Sequence, residues 1–543
     1  MEFALAITVK VETTIKEKFL DRSKLILGLS QCRAYPFYTE SVTMLQTHVS
    51  LLFFTGRKVY KVKKDVTFDF LDFSSLERRR YYCEEELRLN RRLSPEMYLK
   101  MVPITRNELG ELSVEGEGDV VEYAVKMRQL PKEKMLDCLL EKGDLSETIL
   151  DELVDKLAKF HATSECGDSV KKYGELENIS HIVKGNLDVL EKELPSQQYE
   201  YLKSYFQKFI KSNENIFEKR IDENRIRDGH GDLHAGNICI TDEGIMIYDC
   251  IEFSPAYRCA DVACDIAFLA MDLDKRGHKE TSNSLVKKYV EKVKDPDIYA
   301  VIDFYKAYRA LVRAKVAVLK MSSCDLLEGE KKQAIQEKRD YVRLAISYCA
   351  KPFLIITCGL PGSGKSWISH KLSQIFDAVI LRTDVIRKEL AGISPTQSGG
   401  GEFEEGIYTE KFTEKTYQTT LDRAEKQLSD NRVVVVDAGF ARRSQRDLFR
   451  KLAEDKSYPF ILFHVSCADS VIRDRMELRK KDREEVSDAG FDVYQEVAKI
   501  FEDPDELPHY SRIPWEQGAD EELTMDAVID SVIEQSFKEN GSL

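Results

Sequence analysis

Two short segments of this sequence carry side chains suited to transferring a phosphoryl group. The first is HGDLHAGN at residues 230–237, and Asp249 follows it after the length of a hairpin. In enzymes that move phosphate from ATP to a hydroxyl, one carboxylate accepts the hydroxyl proton, while an amide and a second carboxylate hold magnesium. We therefore expect Asp232 to act as the base, and Asn237 and Asp249 to bind Mg²⁺.

The second segment is GLPGSGKS at residues 359–366, directly after the apolar run at 353–356. It fits the P-loop (Walker A) pattern, in which backbone N–H groups surround a nucleotide phosphate, the lysine reaches the β- and γ-phosphates and the hydroxyl holds Mg²⁺. The residues expected to bind ATP and its metal here are Gly359, Gly362, Ser363, Gly364, Lys365 and Ser366.

The sequence around the P-loop favours a kinase over a motor ATPase or a GTPase. Asp437 ends the apolar run at 433–436 as a Walker B residue and is expected to bind Mg²⁺, but Ala438 follows it, where a motor ATPase carries a glutamate. No Asn-Lys-x-Asp motif for guanine follows. Asp384, at the end of another predicted strand, could accept the proton of an acceptor hydroxyl, and Arg387 could bind a phosphate.

The residues that hold ATP near the first segment should lie upstream of it. Lys61 and Lys63 lie on the same face of a predicted strand, and either could pair with the phosphates. We favour Lys61, because Val59 beside it can line an adenine pocket. The alternative interpretation is that these lysines only solvate an edge strand.

The remaining parts of the first site are expected on neighbouring elements. Glu86 on the next helix is the expected partner of the lysine, and the stretch from Met127 to Leu130 is the expected hinge that meets adenine. The triplet Tyr248-Asp249-Cys250 lacks the Phe and Gly of the protein-kinase DFG triplet, which favours a small-molecule kinase. Four charged residues could line the acceptor site or form ordinary salt bridges: Glu252, Arg309, Arg313 and Lys315.

Composition limits the class of protein. The chain has 543 residues, which indicates two or three domains, and 43% hydrophobic with 32% charged residues is ordinary for a soluble protein. A net charge of −14 argues against long-range attraction to nucleic acid or to an anionic membrane. The 12 scattered cysteines indicate reduced thiols in the cytoplasm, and no apolar stretch is long enough to span a bilayer.

The elements that must position these residues change character along the chain. Hairpins at about 49–66 and 112–127 and a helix at 73–93 form a β-rich lobe, followed by a mostly helical lobe to about residue 346. After Lys351-Pro352, strands alternate with helices, and a glycine-rich stretch at 394–401 is expected to be a mobile loop. The pattern predicts an α+β, protein-kinase-like bilobal domain at 1–348 and an α/β P-loop domain with a parallel sheet at 352–543.

Several stretches carry a family resemblance. HGDLHAGN with the downstream Asp249 resembles the aminoglycoside phosphotransferase/choline kinase superfamily. Over nearly the whole chain, THVS, VYKVKK, LDF, ELRLNRRL, DCIEF, DIAFLAMDL and YRALVRAK resemble bacterial proteins in which such a domain is fused to a P-loop kinase. The resemblance implies the fold and the use of ATP, but fold does not fix the acceptor.

The P-loop part has its own resemblance. The pair Asp384 and Arg387 resembles that of polynucleotide kinases and zeta-toxin-like sugar kinases, and the helix at 470–481 resembles the lid of such kinases. By this resemblance Arg475 and Arg479, on one helix face, would clamp the phosphoryl group together with the nearby Arg473, unless one of them faces solvent.

These features predict a bifunctional, ATP- and Mg²⁺-dependent phosphotransferase that acts on hydroxyls of small molecules. We further predict that both sites act on a shared metabolite in sequence; fusion for joint expression alone is the alternative. Two other hypotheses remain at this point. One domain could sense nucleotide while only the other catalyses, or the P-loop part could be a nucleic-acid end kinase, which the acidic charge argues against.

Overall fold

The computed structural model describes residues 22–47, 49–68, 71–321, 328–350, 352–376, 378–394, 406–479, 491–508, 511–516 and 521–539, with the backbone alone at 477–479, 516, 521–524 and 537–539. The chain divides into two compact units. The first unit comprises Met1–Leu194 and Lys203–Ala345, and the second comprises Pro195–Leu202 and Ile346–Leu543. The domain limits at 348 and 352 stay a prediction, and the glycine-rich stretch after Ser394 lies outside the described residues.

An antiparallel sheet forms the first lobe of the first unit, with strand order β1-β2-β3-β8-β6-β7. The described strands of this unit are β1 (Thr43–Gln46), β2 (Ser50–Phe54), β3 (Lys58–Lys63), β4 (Thr67–Phe68), β5 (Leu71–Asp72), β6 (Tyr98–Arg106), β7 (Leu112–Val114), β8 (Asp119–Arg128), β9 (Ile226–Asp228), β10 (Ile238–Thr241), β11 (Gly244–Ile247) and β12 (Cys259–Asp261). The predicted hairpin of β2 and β3 is confirmed.

The predicted second hairpin at about 112–127 is wrong in its pairing. Strand β7 pairs with β6, and β8 lies between β3 and β6. The sequence pattern concealed β6 because Pro103 interrupts it, and proline is rare inside a sheet. Pro103 is tolerated at this point because β7 begins its pairing with β6 only at the following residue, Ile104.

Strand β3 is buried on both faces, which fixes the direction of its side chains. Tyr60 and Val62 belong to the apolar cluster on one face of the sheet. Val59 belongs to the cluster on the other face, together with Leu87 of the following helix. Because side chains alternate along a strand, Lys61 and Lys63 share the face of Val59 and point toward that helix.

The second lobe of the first unit is helical. The helices that begin in this part of the chain are α1 (Arg22–Leu29), α2 (Leu76–Asn90), α3 (Leu136–Lys142), α4 (Glu147–Thr163), α5 (Asp168–Lys171), α6 (Leu176–Leu190), α7 (Ser196–Ser212), α8 (Glu214–Asp222), α9 (Pro255–Arg258), α10 (Val262–Lys275), α11 (Lys279–Val293), α12 (Ile298–Met321) and α13 (Glu328–Cys349). Helix α10 is buried from Val262 to Asp274 and forms the centre of this lobe. The predicted α+β, protein-kinase-like bilobal fold is confirmed.

A parallel sheet with order β14-β15-β13-β16-β17 forms the centre of the second unit. Its described strands are β13 (Leu354–Cys358), β14 (Val379–Arg382), β15 (Val434–Asp437), β16 (Phe460–Ser466) and β17 (Arg512–Glu516). The helices that follow are α14 (Lys365–Phe376), α15 (Thr383–Ala391), α16 (Glu410–Ser429), α17 (Arg443–Lys456), α18 (Asp469–Arg479), α19 (Phe491–Ile500) and α20 (Glu521–Glu539).

Parallel strands bring their carboxyl ends to one edge of the sheet, where ligands of α/β folds bind. In the register of the second unit, Thr357 of β13 and Arg382 of β14 both lie opposite Asp437 of β15. The predicted P-loop fold with a parallel sheet is confirmed, although β17 was not foreseen. Among the described helices of both units, none combines the length and apolarity needed to cross a membrane.

Candidate active sites

The segment at 230–237 follows β9 and forms a tight loop. Polar groups of its own side chains stabilise this loop. Gly231 has φ +83°, and a Cβ there would lie 2.8 Å from the backbone oxygen of Tyr257, so glycine is required. The amide Nδ2 of Asn237 donates to the backbone oxygen of Asp232 at 3.0 Å and to its Oδ2 at 3.2 Å. The structure thus brings the predicted base and the predicted metal ligand together.

Asp232 and Asn237 each leave one oxygen without a partner. Oδ1 of both side chains is buried and accepts no hydrogen bond from the described residues. A buried oxygen that accepts nothing is costly, and such atoms are concentrated at functional sites. Two oxygens of this kind on one loop are suited to a cation or to a hydroxyl donor.

The hairpin of β10 and β11 returns Asp249 to this loop, as the sequence predicted. Its register places Ile238 opposite Ile247, and the amide of Tyr248 donates to the backbone oxygen of Asn237 at 3.0 Å. Asp249 has φ +64°, an uncommon conformation for a residue with a side chain. Tyr98 helps to hold this conformation, because its hydroxyl oxygen accepts the amide hydrogen of Asp249 at 3.2 Å.

Lys61 and Lys63 share Glu86 but differ in their other partner. Lys61 Nζ lies 2.9 Å from one Glu86 oxygen and 2.7 Å from Asp249 Oδ1. Lys63 Nζ lies 2.8 Å from the other Glu86 oxygen and pairs with Glu252. The side chain of Lys63 is 1% exposed, so it is enclosed by the two glutamates, whereas Lys61 lines a cavity.

The charges in this cluster compensate for their burial. Burial alone would raise the pKa of Asp249, but the Lys61 ammonium outweighs it and holds the pKa at about 2. Burial also opposes ionisation of Glu86, yet Lys61 and Lys63 lower its pKa. The pKa of Glu252 is raised, because burial there outweighs its contact with Lys63. Asp249 and Glu86 are therefore ionised at neutral pH.

A cavity of about 760 Å³ opens beside these groups within the first unit. Val59 and the predicted hinge from Met127 to Leu130 line one part of it, and Lys61 and Asp249 line another. Pockets for nucleotides and small ligands span about 300–1,000 Å³, with mostly apolar walls and a few polar groups. The geometry thus combines an apolar slot with a cluster of charges.

Asp232 is held in its ionised form. Burial would raise its pKa, but His234, whose Nε2 lies 3.5 Å from Asp232 Oδ2, and Arg313 lower the pKa well below its usual range. His230 is neutral, since burial lowers its pKa, and its Nε2 donates to the backbone oxygen of Tyr248 at 3.0 Å. An ionised Asp232 can accept a hydrogen bond from a hydroxyl.

Two acidic residues of α10 hold the loop, and sequence reasoning did not assign them. Asp265 accepts the amide hydrogens of His230 and Gly231 at 2.7 and 2.9 Å. Asp272 accepts the amide hydrogen of Ala235 at 2.9 Å. The signal was present in the stretch DIAFLAMDL, whose two carboxylates lie about two helical turns apart on an otherwise apolar helix.

The charged residues considered for an acceptor site separate into different roles. Glu252 pairs with Lys63, and Arg309 donates to the backbone oxygen of Gly231 at 2.7 Å, so both hold the structure. Arg313 lines the cavity, and its Nη1 is buried without a partner among the described residues. Lys315 does not line the cavity but makes contacts elsewhere.

In the second unit, the segment at 359–366 connects β13 to α14 as a compact loop. Its glycines 359, 362 and 364 all have positive φ. A Cβ on Gly359 would collide with the backbone oxygen of Val465, which excludes other residues. Ser363 is 1% exposed, and its Oγ has no partner among the described residues, while Lys365 Nζ donates to the backbone oxygen of Leu360 at 2.8 Å. Ser366 follows Lys365 in the first turn of α14.

The other predicted residues of this unit lie near the carboxyl edge of the sheet. Asp384 begins α15 directly after β14, and Asp437 ends β15 with Arg382 Nε 3.3 Å from its Oδ2. Arg387 is 7% exposed, and its Nη1 donates to the backbone oxygen of Ile407 at 2.8 Å and to Thr413 Oγ1 at 3.0 Å. Nη1 of Arg387 is therefore held by α16 and the turn before it, while its Nε is buried without a partner in the described part of the chain.

Helix α18 and β17 complete the surroundings of the loop. Arg475 Nη1 donates to the backbone oxygen of Gly362 at 3.3 Å, so its side chain lies beside the P-loop. Arg473 instead lies over the ring of Phe491, 4.8 Å from its centre, and the side chain of Arg479 lies outside the described part. Trp515 stacks on Trp367 with ring centres 5.6 Å apart, and a Cβ on Gly364 would lie 3.5 Å from the Trp515 ring.

A family model matches the part of the chain that contains the P-loop. Residues 354–504 match the AAA_33 family, described as an AAA domain. The uncharacterized protein Rv2004c of Mycobacterium tuberculosis is 28% identical over 455 residues, which cover 82% of this chain and 88% of that protein.

Two solved structures cover different parts of the chain. A choline/ethanolamine kinase family protein from Mesorhizobium loti covers 59% of this chain and 93% of its own, at 14% identity and a TM-score of 0.37. A gluconokinase from Sinorhizobium meliloti covers 35% of this chain and 96% of its own, at 17% identity and a TM-score of 0.24.

Proposed function

We propose that this protein is a bifunctional ATP-dependent phosphotransferase, with one site in each unit. The observation that carries the proposal is the pair of buried Oδ1 atoms of Asp232 and Asn237, which have no partner among the residues that the structure describes. They belong to a loop next to which Lys61 holds Asp249. In the second unit, the P-loop with its three positive-φ glycines supports a second nucleotide site.

At the first site, adenine would occupy the slot between Val59 and the hinge that begins at Met127. Lys61, oriented by Glu86, would pair with the phosphates of ATP. Carboxylate and amide oxygens are the ligands that Mg²⁺ prefers, so the residues present fit the metal, with Asn237 and Asp249 as its ligands. Bound Mg²⁺ would neutralise charge on the phosphates.

The transfer step at the first site would depend on Asp232. Its ionised carboxylate would accept a hydrogen bond from the acceptor hydroxyl and then take its proton as the oxygen attacks the γ-phosphorus. The bond from the γ-phosphorus to the bridging oxygen of ADP breaks in the same step. The volume of the cavity, about 760 Å³, suits a small-molecule acceptor, with Arg313 as a polar contact for it.

At the second site, Lys365 would leave the carbonyl of Leu360 and reach the β- and γ-phosphates. Ser366 and Asp437 would hold Mg²⁺, for which their oxygen atoms are suitable ligands. Asp384 would orient the acceptor hydroxyl and take its proton. Arginine side chains would contact the transferred phosphoryl group or a phosphate already on the acceptor. These arginines are Arg387, Arg475 and Arg479.

We further propose that the two sites act in sequence on one small metabolite, Asp232 first and Asp384 second. Joining two active sites in one chain raises the effective concentration of an intermediate, to about millimolar where the geometry allows it. We propose a cytoplasmic location because the cysteines among the described residues are free thiols.

A metabolite extract incubated with γ-labelled ATP tests the proposal directly. We expect a doubly phosphorylated product from the unaltered protein, a singly phosphorylated one from Asp384→Ala, and neither from Asp232→Asn. Absence of label transfer by the unaltered protein would exclude the phosphotransferase proposal. A second-site product that forms normally in Asp232→Asn would exclude the order but not the two activities.

Lys61 and Lys63 should respond differently to the same substitution. Lys61→Met should raise the KM for ATP and lower kcat per folded molecule, because Lys61 faces the cavity. Lys63→Met should mainly lower the melting temperature, because removing one partner of a buried charge cluster costs about 3–5 kcal/mol. Steady-state kinetics and thermal unfolding of both variants separate these effects; the reverse pattern would make Lys63 the phosphate ligand.

A further inference from the structure

A second cavity of the first unit lies outside the site described above. It has a volume of about 570 Å³ and is bounded by α4, by the turn that enters β9, and by α11. None of the residues that line it also lines the first cavity. Its volume is in the range of pockets that hold small molecules.

The rim of the second cavity is basic. Lys159, Arg225, Arg227 and Lys292 line it, and Asp155 is the acidic residue among the lining residues. Asp155 pairs with Lys292 at 2.7 Å. The lining therefore has a surplus of positive charge, although the chain as a whole has a net charge of −14.

Two of these cations lack an acidic partner in the described part of the chain. Arg227 donates only to backbone oxygens, those of Asn224 at 2.8 Å and Ser164 at 2.9 Å. Lys159 forms no ion pair within the described residues, and it is exposed. Cations that are not neutralised and that converge on a concave surface attract multiply charged anions.

The floor of the cavity is connected to the loop that contains Asp232. Tyr289 and His161 line the floor, and the hydroxyl of Tyr289 lies 2.7 Å from His161 Nδ1. His161 Nε2 lies 3.4 Å from Asp265 Oδ2. Asp265 in turn accepts the amide hydrogens of His230 and Gly231. One hydrogen bond, from His161 to Asp265, thus separates the floor from the carboxylate that holds the loop.

The wall of the cavity provides a second connection. Arg227 lies on β9, which continues directly into the loop at 230–237. The next residue, Asp228, is held by the buried guanidinium of Arg258 at 2.5 Å and by Arg92 at 3.2 Å. A ligand bound to Arg227 would therefore contact the strand from which the loop begins.

We propose that the second cavity binds a small phosphate ester or polyphosphate and that this ligand regulates the loop of the first active site. Phosphate groups complement the charge of the rim because they carry a high density of negative charge. Their oxygens also accept hydrogen bonds from lysine and arginine side chains. Occupancy would order β9 and the contact of His161 with Asp265, and thereby the amides of His230 and Gly231. The regulatory part of this inference rests on the proposed function of Asp232, whereas the binding part does not.

Inorganic pyrophosphate without divalent metal is a suitable probe. The full chain with Lys365→Ala is used, to remove the competing P-loop site, and binding is measured by equilibrium dialysis. We expect Lys159→Glu and Lys292→Glu each to weaken pyrophosphate binding by about tenfold or more, because each reverses a charge at the rim. Lys287→Glu is the matched control: Lys287 is an exposed lysine of α11 that does not line the cavity.

Amide hydrogen exchange at His230 and Gly231 tests the connection to the loop. The parent protein is the full chain with Lys365→Ala, and the other two variants are made in it. Pyrophosphate should slow exchange of these two amide hydrogens in the parent and in Lys287→Glu, but not in Lys159→Glu. Equal pyrophosphate affinity in Lys159→Glu and Lys287→Glu would overturn the binding site, and unchanged exchange in a pyrophosphate-bound parent would overturn the regulation. Loss of phosphoryl transfer in the parent without pyrophosphate would count against the proposed function instead.

Discussion

Asp232→Asn should reduce transfer at the first site by roughly 10²-fold or more while leaving ATP affinity nearly unchanged. Asparagine keeps the shape of the side chain but cannot accept the proton of the acceptor hydroxyl. The backbone oxygen of Asp232, to which Asn237 Nδ2 donates at 3.0 Å, is unaffected by the change. Turnover of labelled ATP is measured in a Lys365→Ala background, and ATP affinity by calorimetry.

A matched control distinguishes lost chemistry from lost stability. Asp295 is a fully buried aspartate that pairs with Arg220 at 3.1 Å and does not line the first cavity. Asp295→Asn should lower the melting temperature without lowering turnover per folded molecule. Ordinary first-site turnover in Asp232→Asn would show that Asp232 is not the base.

Lys365→Ala should abolish measurable transfer at the second site and weaken ATP binding there. In a P-loop the lysine supplies the mobile positive charge on the β- and γ-phosphates, and loss of one such stabilising group costs roughly 10²-fold or more in rate. Lys365 lies at the start of α14, whose N-terminus also favours anions. Transfer and ATP affinity are measured in an Asp232→Asn background, where the second site is isolated by supplying phosphorylated acceptor.

Asp384→Ala is the comparison variant that separates loss of phosphoryl transfer from loss of ATP binding at the second site. It removes a carboxylate at the start of α15 and should spare ATP affinity while removing transfer. If Asp384→Ala lost ATP affinity as severely as Lys365→Ala, Asp384 would be a metal ligand or a structural residue and not the base.

The two motif segments could be recognised from the sequence because the residues of each motif are close to one another along the chain. Asp232 and Asn237 are separated by one turn of loop, and the hairpin that returns Asp249 is contiguous with them, so short-range spacing determined their proximity. The same holds for the P-loop between β13 and α14. The fold class followed from the change in periodicity near residue 352, which is also a local signal.

What the sequence did not reveal depends on contacts between distant residues. Alternation along β3 placed Lys61 and Lys63 on one face but could not choose between them, because Asp249 and Glu252 are contributed by another lobe. Asp265 supports the loop through contacts with its backbone amides, which have no sequence signature. The phosphate-binding role of Arg387 stays a prediction, whereas its contacts with Ile407 and Thr413 depend on how α15 packs against α16 and have no local signal in the sequence.

The stacked indoles beside the P-loop have an optical consequence. Trp367 and Trp515 are the only tryptophans of the chain, since its composition includes 2. Their rings lie 5.6 Å apart in the second unit, and one of them borders Gly364. The tryptophan emission of the whole protein therefore originates from a single location. A change in that emission on adding nucleotide therefore reports on the surroundings of the P-loop, and a titration followed by emission gives the nucleotide affinity of the second site.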